Sequence, residues 1–148
     1  MFQVLFTVKM LEAILIVDDD ADEASLIRRA VMGLHPKSPV ETVTSGLDLK
    51  AYLDGQGRYA NRETFPYPGL ILLDLRMPEM DGFEVLTWLK SHALHAAIPV
   101  IVISAFDQQQ NIRKAYQMGA RTFLSKPVNP ESIRAAIRAL MLPIGFFD

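Results

Sequence analysis

The chain has 148 residues, of which half are hydrophobic and 22% are charged, a composition typical of one folded globular domain. Its net charge of −2 argues against a nucleic-acid binder that relies on bulk electrostatics. It contains no cysteine, which excludes disulfides and thiol chemistry. No apolar run approaches the length of a membrane span. We therefore expect a cytoplasmic protein that neither contacts nucleic acid directly nor inserts into a membrane.

Both ends of the chain lie outside the predicted domain, which spans residues 12–142. Residues 1–11 form an N-terminal extension without an assigned role. Apolar residues at positions 2, 4, 6 and 8 fit a strand, but a start codon upstream of Met10 explains them equally well. The extension lacks the basic start and the small-residue cleavage site of a signal peptide. Residues 143–148 form an apolar C-terminal tail, either a dimer contact or a disordered end.

The hydrophobic pattern predicts five strands that alternate with five helices. The strands are predicted within residues 12–20 and at 40–43, 70–73, 99–104 and 122–125. The first helix is predicted to bury Leu26, Ile27, Ala30, Val31 and Leu34, and the second, at 46–54, Leu47, Leu49 and Leu53. The third is predicted at 83–91, and the fourth packs through Ile112, Ala115 and Tyr116 and ends at Gly119. The fifth follows an Asn129 cap and Pro130, and buries Ile133, Ile137, Leu140 and Met141.

This alternation predicts the topology of the domain. Strands written as continuous hydrophobic runs between helices are typical of a parallel sheet covered on both faces. Right-handed crossovers leave few arrangements of five strands, and the doubly wound order 2-1-3-4-5 is the usual one. We therefore predict an α/β protein with a flavodoxin-like fold. One connection, residues 54–69, is long for such a domain, which usually indicates function or flexibility.

Polar residues follow the strands at one edge of the predicted sheet. They are Asp18 and Asp19 after the first strand, Asp74 after the third, Ser104 after the fourth and Lys126 after the fifth. In a doubly wound sheet, ligands bind beyond the carboxyl ends of the strands, at the switch between strands one and three. Asp20 is instead interpreted as the cap of the first helix, because Asp20 and Glu23 have the spacing of a capping box.

The chemistry of this edge is constrained by charge. Carboxylates 4–5 Å apart repel by roughly 3–4 kcal/mol per pair at an effective dielectric near 20, so a positive group must join them. Lys126 is one candidate, and Mg²⁺ or Mn²⁺ is the other. A carboxylate beside a cation, a lysine and a hydroxyl is suited to accept a phosphoryl group, because an aspartate is a nucleophile and each phosphoryl oxygen needs a partner. Asp74, Lys126 and Ser104 are the residues expected to supply this chemistry.

Four segments resemble the motifs of receiver domains of two-component response regulators. They are ILIVDDD from residue 14, LILLDLRMPEMDGFEVL from 70, VIVISAF from 100 and FLSKPV from 123. The resemblance implies a phosphorylation-dependent signalling switch in which Asp74 accepts a phosphoryl group from a histidine kinase. It also implies that Asp18 and Asp19 are the acidic pair that binds Mg²⁺, with Asp74 and the backbone carbonyl of Arg76 completing the protein ligands.

The same resemblance implies which residues transmit and time the signal. Ser104 matches the switch hydroxyl, Phe123 the switch aromatic, and Lys126 the lysine that precedes a proline. Phosphorylation is then expected to draw the hydroxyl inward and to change the surface of the fourth helix, fifth strand and fifth helix. Arg76 and Phe106, each two residues after a site residue, match positions that tune the lifetime of the aspartyl phosphate. A bulky Phe106 is expected to shield it from water.

The loop after Asp74 has a sequence that fixes its backbone. Pro78 restricts the chain just after the acceptor and holds the amides near the site. Gly82 is expected to adopt a conformation that other residues would adopt only with strain.

The long connection at 54–69 resembles an insertion of small single-domain regulators that partner phytochrome-type histidine kinases. No effector domain follows the fifth helix in this sequence, so we expect a stand-alone receiver that acts by protein contact or phosphorelay rather than as an enzyme. The expected partners are a histidine kinase, phytochrome-type or hybrid, and a second copy of the chain. The dimer contact would involve the fourth helix, fifth strand and fifth helix, or the tail.

Three other interpretations fit the sequence less well. A phosphohydrolase of the haloacid-dehalogenase kind needs a second aspartate two residues after its nucleophile, where this chain has Arg76. A flavodoxin-like binding module needs a glycine- or hydroxyl-rich phosphate cradle after its first strand, where this chain has three acids. A receiver that has lost phosphorylation would lack a site residue, and none is missing.

Overall fold

A computed structural model of the protein describes residues 13–34 and 38–141. In this part of the chain five strands alternate with five α-helices. The strands are β1 (Ile14–Val17), β2 (Val40–Val43), β3 (Leu70–Leu73), β4 (Val100–Ser104) and β5 (Thr122–Ser125). The helices are α1 (Ala21–Leu34), α2 (Gly46–Asp54), α3 (Gly82–Lys90), α4 (Gln109–Gln117) and α5 (Pro130–Met141). The predictions for residues 1–11 and for the tail at 143–148 lie outside the described residues.

The five strands form one parallel sheet in the order β2-β1-β3-β4-β5, which confirms the predicted topology. Strand β1 lies between β2 and β3, and its Val17 pairs with both Val43 and Leu73. The hydrogen bonding continues one residue beyond the strands, since the N–H of Asp18 donates to Val43 at 3.1 Å and that of Asp74 to Val17 at 2.9 Å. The sheet itself therefore fixes these two aspartates side by side.

Each face of the sheet carries its own hydrophobic core, because alternate side chains of a strand point to opposite faces. Odd-numbered residues of β1 and β3, such as Leu15 and Leu73, pack under α2, α3 and α4. Even-numbered residues, such as Ile16 and Leu72, pack under α1 and α5. All eight side chains of β1 and β3 are buried. Both faces are covered, as the continuous hydrophobic runs predicted.

Three residues predicted to face the core are instead exposed. Leu26 is 59% exposed, Leu47 54% and Tyr116 48%. Each is the sequence neighbour of a buried residue on the same helix, as Leu26 is of Ile27. Successive helical residues point about 100° apart, so only one of the two faces the sheet.

Among the described residues, no helix has both the length and the apolar character needed to cross a membrane.

The long connection between α2 and β3 is folded onto the core. It contains a 3₁₀-helix at Gly57–Ala60, and its Tyr59 is 3% exposed. The Tyr59 ring packs 4.8 Å from the ring of Tyr52 and 5.1 Å from that of Phe65, measured between centroids. The guanidinium of Arg62 donates to the carbonyls of Tyr52 and Leu53 at 2.8 Å each. Both carbonyls belong to the last turn of α2, where intrahelical donors run out, so the connection helps to cap that helix.

A buried histidine ties the same connection to the segment after α3. His95 is 6% exposed, and its Nδ1 lies 2.6 Å from the hydroxyl of Tyr67. Its Nε2 lies 3.1 Å from a carboxylate oxygen of Asp54. Residues 54–69 were expected to serve a function or to be flexible, and their packing is that of a fixed structural element.

The loop between β3 and α3 takes its shape from Glu79 and Gly82, and the role of Gly82 differs from the predicted one. Glu79, rather than Gly82, has a positive φ, of 68°. Gly82 is required for space instead: a Cβ there would lie 2.6 Å from the Cα of Leu75 and 2.7 Å from the carbonyl oxygen of Asp74. The N–H of Gly82 donates to the Leu75 carbonyl at 2.9 Å, which closes the loop. The expectation that Gly82 supplies an unusual backbone conformation was therefore wrong.

This close approach predicts that Gly82→Ala destabilises the fold. The added methyl meets backbone rather than a flexible side chain, so the cost should be about 2 kcal/mol or more. Urea denaturation gives the free energy of unfolding directly. Gly33→Ala is the matched control, because a Cβ there meets only the Arg134 guanidinium, at 3.7 Å. That exposed helical substitution should stabilise by up to about 1 kcal/mol, and equal effects of both changes would contradict the prediction.

Candidate functional site

The ammonium of Lys126 is the centre of the polar edge of the sheet. Its Nζ donates hydrogen bonds to three carboxylates: Asp18 at 2.8 Å, Asp74 at 3.0 Å, and Glu23. The lysine side chain is only 8% exposed. Asp18 and Asp74 follow β1 and β3, and Lys126 follows β5. Three of the predicted site residues are therefore brought together as the strand order requires.

Burial and ion pairing act against each other in this cluster. Burial raises the pKa of Asp18, which is 1% exposed, and the hydrogen bonds from Lys126 and from the N–H of Asp20 offset only part of that rise. Burial lowers the pKa of Lys126, but its hydrogen bonds to the three carboxylates outweigh burial and leave its pKa above the ordinary value. The lysine is therefore held in its charged form by its neighbours.

The Asp74 carboxylate is held by both of its oxygens. Oδ2 accepts from Lys126, and Oδ1 accepts from the N–H of Arg76 at 3.2 Å. The residue is 7% exposed. The loop that supplies the Arg76 amide ends at Asp81, whose side chain caps α3 in a reciprocal capping box with Glu84. Helix and loop together fix the direction in which the carboxylate points.

Ser104 and Phe123 lie near this cluster without joining it. The Ser104 side chain is fully buried, and its hydroxyl accepts from the N–H of Phe106 at 3.1 Å. Among the hydrogen bonds of the described residues, none joins that hydroxyl to Asp74 or Lys126. The Ser104 carbonyl does accept from the N–H of Lys126, at 3.0 Å. Phe123 is half-buried and packs against the core.

An open depression of about 430 Å³ beside the cluster is lined by Asp19, Arg76 and Phe106. The guanidinium of Arg76 lies 5.2 Å from the centroid of the Phe106 ring. Phe83 packs edge-on against Phe106, with 6.4 Å between centroids. Asp19 is exposed and is not among the hydrogen-bond partners of the Lys126 ammonium. The two residues matched to lifetime tuning therefore touch one another at the opening of the site.

The carboxylates also suit a hard divalent cation. Oxygen atoms of Asp18, Glu23 and Asp74 lie within 4.8 Å of one another. An all-oxygen donor set is the one that Mg²⁺ and Mn²⁺ prefer, and Mg²⁺ usually takes one or two carboxylates and keeps several waters. The donor atoms present fit such an ion. Asp19, predicted as a ligand, belongs to the rim rather than to this group of three.

Glu23 is the site residue that sequence reasoning missed. Its spacing from Asp20 predicted a capping box, and half of that box is present: an Asp20 carboxylate oxygen accepts from the N–H of Glu23 at 3.1 Å. The Glu23 side chain turns to Lys126 instead of returning to Asp20, whose own N–H donates to Asp18. The only signal in the sequence was an acid in the first turn of a helix that begins beside the site.

This combination of strand order and polar residues has a counterpart among known proteins. The profile of the response regulator receiver domain matches residues 14–138. The chain belongs to this family. The predicted family and flavodoxin-like receiver fold are confirmed, as is phosphorylation-dependent signalling as the function that the family performs.

Three relatives illustrate the similarity. The probable methanogenesis regulatory protein FilR2 of Methanothrix harundinacea is 32% identical over 86% of this chain and 79% of that protein. Response regulator Rcp1 of Synechocystis is 28% identical over 87% and 86%, and its Mn²⁺-bound crystal structure, covering 87% of this chain and 91% of that one, superposes with a TM-score of 0.68. The phosphorylated cyanobacterial phytochrome response regulator RcpA is 32% identical, with a TM-score of 0.70 over 87% of this chain and 90% of that one.

Replacing the central lysine tests the electrostatics of this receiver. Lys126→Met leaves three carboxylates without their common partner and should destabilise the fold by about 3 kcal/mol. Without Lys126 the folded-state pKa of Asp18 should rise further, so the folded state binds protons more tightly. The loss in the free energy of unfolding relative to wild type should therefore shrink as the pH falls from about 8 to about 5. Urea denaturation at both pH values measures it.

Lys114→Met is the control for this test. Lys114 is exposed and lies over the Phe83 ring, 4.3 Å from its centroid, away from buried carboxylates. Its replacement should change the free energy of unfolding by less than about 0.5 kcal/mol. If the loss in the free energy of unfolding of Lys126→Met does not depend on pH, then the destabilisation comes from the lost packing of the lysine side chain and not from its charge.

Proposed function

We propose that Asp74 is the phospho-acceptor of this receiver and takes a phosphoryl group from a phosphohistidine of a histidine kinase. The observation that carries the proposal is the Lys126 ammonium, which belongs to a side chain only 8% exposed and lies 3.0 Å from Asp74 Oδ2. An Asp74 oxygen forms a bond to phosphorus while the phosphorus–nitrogen bond of the donor breaks and the histidine nitrogen keeps the electron pair. Lys126 balances charge on the phosphoryl oxygens.

A divalent cation, Mg²⁺ or Mn²⁺, belongs to the proposal. Receiver domains bind such ions at an acidic pocket, and here Asp18 and Asp74 are in position to hold one, with Asp19 and the Arg76 carbonyl as the further ligands that the family resemblance implies. When bound, the cation supplies positive charge at the phosphoryl oxygens. The chain's own residues orient the acceptor and exclude water.

Ser104 and Phe123 are proposed to convert phosphorylation into a change of surface. The support for this role is their placement: Ser104 is fully buried one strand away from Asp74, and Phe123 is half-buried on the neighbouring edge strand β5. A ligand shifts a conformational equilibrium only through its different contacts with the two states. Movement of the Ser104 hydroxyl to the phosphoryl group would provide that difference and alter the α4–β5–α5 surface.

The proposed partners follow from the family and its members. Receiver domains of two-component systems interact with histidine kinases. Because this chain is similar to the phytochrome response regulator RcpA, we propose a phytochrome-type kinase as the partner. We further propose a homodimer through the α4–β5–α5 surface or the tail, and action in the cytoplasm by protein contact or phosphorelay, without direct nucleic-acid binding. Beyond its own phosphotransfer and dephosphorylation, we assign the chain no enzymatic activity.

Direct phosphorylation tests the acceptor. Incubation with acetyl phosphate and Mg²⁺ should add the mass of one phosphoryl group to the intact protein. Omitting Mg²⁺ or replacing Asp74 by asparagine should abolish the gain, because the first removes the cation and the second the nucleophile. Intact-mass spectrometry measures all three. A wild-type protein that gains no mass and binds no beryllofluoride, a phosphate mimic, would contradict the proposed function.

The cover of the site should set the lifetime of the acyl phosphate. Phe106→Ala removes the ring that packs on Arg76 and Phe83 at the opening of the site, and water should then reach the phosphoryl group more easily. We expect hydrolysis of the acyl phosphate to become faster, on the order of 10-fold for the loss of one close-packed group. The decay of the phosphorylated mass with time measures this rate. Phe65→Ala is the aromatic control, because Phe65 packs on Tyr52 and Tyr59 in the connection at 54–69, and an equal acceleration there would contradict a shielding role for Phe106.

A further inference from the structure

Glu23 is the one carboxylate on Lys126 to which the proposed phosphotransfer gives no role. It lies in the first turn of α1, and its side chain is 43% exposed, compared with 1% for Asp18 and 8% for Asp74. Its Oε2 accepts a hydrogen bond from the Lys126 ammonium. Glu23 is thus a solvent-facing acid attached to a buried lysine.

The lysine has no donor to spare in this arrangement. An ammonium carries three N–H groups and no more, and Asp18, Glu23 and Asp74 accept one each. A phosphoryl group on Asp74 needs a hydrogen bond from the same ammonium if the proposed function is correct. One of the three present acceptors must therefore give way.

Asp18 and Asp74 are poor candidates for release. Asp18 is buried and its other oxygen is fixed by the N–H of Asp20 at 2.9 Å, so losing Lys126 would leave a buried charge unpaired. Asp74 is bonded to the phosphoryl group, so the ammonium must stay beside Asp74 in order to reach the phosphoryl oxygens. Glu23 can turn into water, where its carboxylate is hydrated again, and it stays at a helix N-terminus, where a negative charge is favourable.

We propose that Glu23 is a positioning residue that holds the Lys126 ammonium and releases it to the phosphoryl group. The Glu23–Lys126 ion pair then opposes phosphorylation, because it must open before the lysine can reach the phosphoryl oxygens. The negative charge of Glu23 also repels the incoming anionic donor, which acts in the same direction. This inference deepens the proposed function and rests on it.

Binding of beryllofluoride at saturating Mg²⁺ tests the proposal without requiring turnover. Glu23→Gln keeps the size of the side chain and removes its charge. It should bind beryllofluoride about five-fold more tightly than wild type, which corresponds to about 1 kcal/mol. Asp22→Asn is the matched control, because Asp22 is an exposed acid in the same first turn of α1 and lies outside the group on Lys126. Its affinity should stay within about two-fold of wild type. Fluorine NMR or calorimetry gives both constants.

A second measurement separates this role from a merely structural one. Without beryllofluoride, Glu23→Gln should unfold at a lower urea concentration than Asp22→Asn, because only the first substitution removes a partner of the buried lysine. The proposal thus requires opposite signs in one variant, namely a weaker fold and tighter beryllofluoride binding. A residue that only supports the structure would weaken both.

Each remaining outcome has one meaning. Beryllofluoride affinity in Glu23→Gln that equals or falls below that of Asp22→Asn overturns the inference and leaves the proposed function intact. A loss of Mg²⁺ affinity in Glu23→Gln alone, measured by titration with Mg²⁺, makes Glu23 a ligand of the cation and also overturns it. If wild type binds no beryllofluoride, the proposed function fails, and the inference fails with it.

Discussion

One ammonium held among three carboxylates is the constraint on which the rest of this receiver depends. Lys126 arrives from the edge strand β5, whereas Asp18 and Asp74 follow the adjacent strands β1 and β3. They meet only because the sheet is parallel and wound in the order 2-1-3-4-5, which brings the carboxyl ends of all these strands to one edge. The hydrophobic faces of the sheet hold in place a group of charges that repel one another wherever they are not joined by the lysine.

That arrangement leaves the site with a net negative charge, which favours the binding of a cation. Three carboxylates face one ammonium, so the cluster attracts a divalent cation and opposes an anionic donor until a cation is present. The proposed need for a cation, the proposed acceptor role of Asp74 and the positioning role inferred for Glu23 all rest on this one imbalance. Arg76, whose amide fixes Asp74 and whose guanidinium stacks on Phe106, joins the acceptor to the rim of the site.

The long connection at 54–69 contributes to the core rather than to the phosphorylation edge. Its aromatic residues extend the hydrophobic cluster on one face of the sheet, and Arg62 caps α2 through backbone carbonyls. His95, hydrogen-bonded to Tyr67 and Asp54, ties the connection to the segment that follows α3. Fixing an insertion of this length costs conformational entropy, and these contacts offset that cost.

The sequence by itself determined the elements, the strand order and four of the groups at the phosphorylation edge. Continuous apolar runs predict buried parallel strands, and a polar residue directly after such a run must lie at the carboxyl edge, so Asp18, Asp74, Ser104 and Lys126 were predictable. Only the tertiary structure decided which of two neighbouring helical residues faces the core, as with Leu26 and Ile27, because periodicity fixes a stripe to within about one residue. It alone showed that Gly82 is needed for space and that Glu23 turns to Lys126. The first depends on how the loop folds back onto Asp74 and Leu75, and the second on a contact between residues 103 positions apart in the chain; local spacing encodes neither.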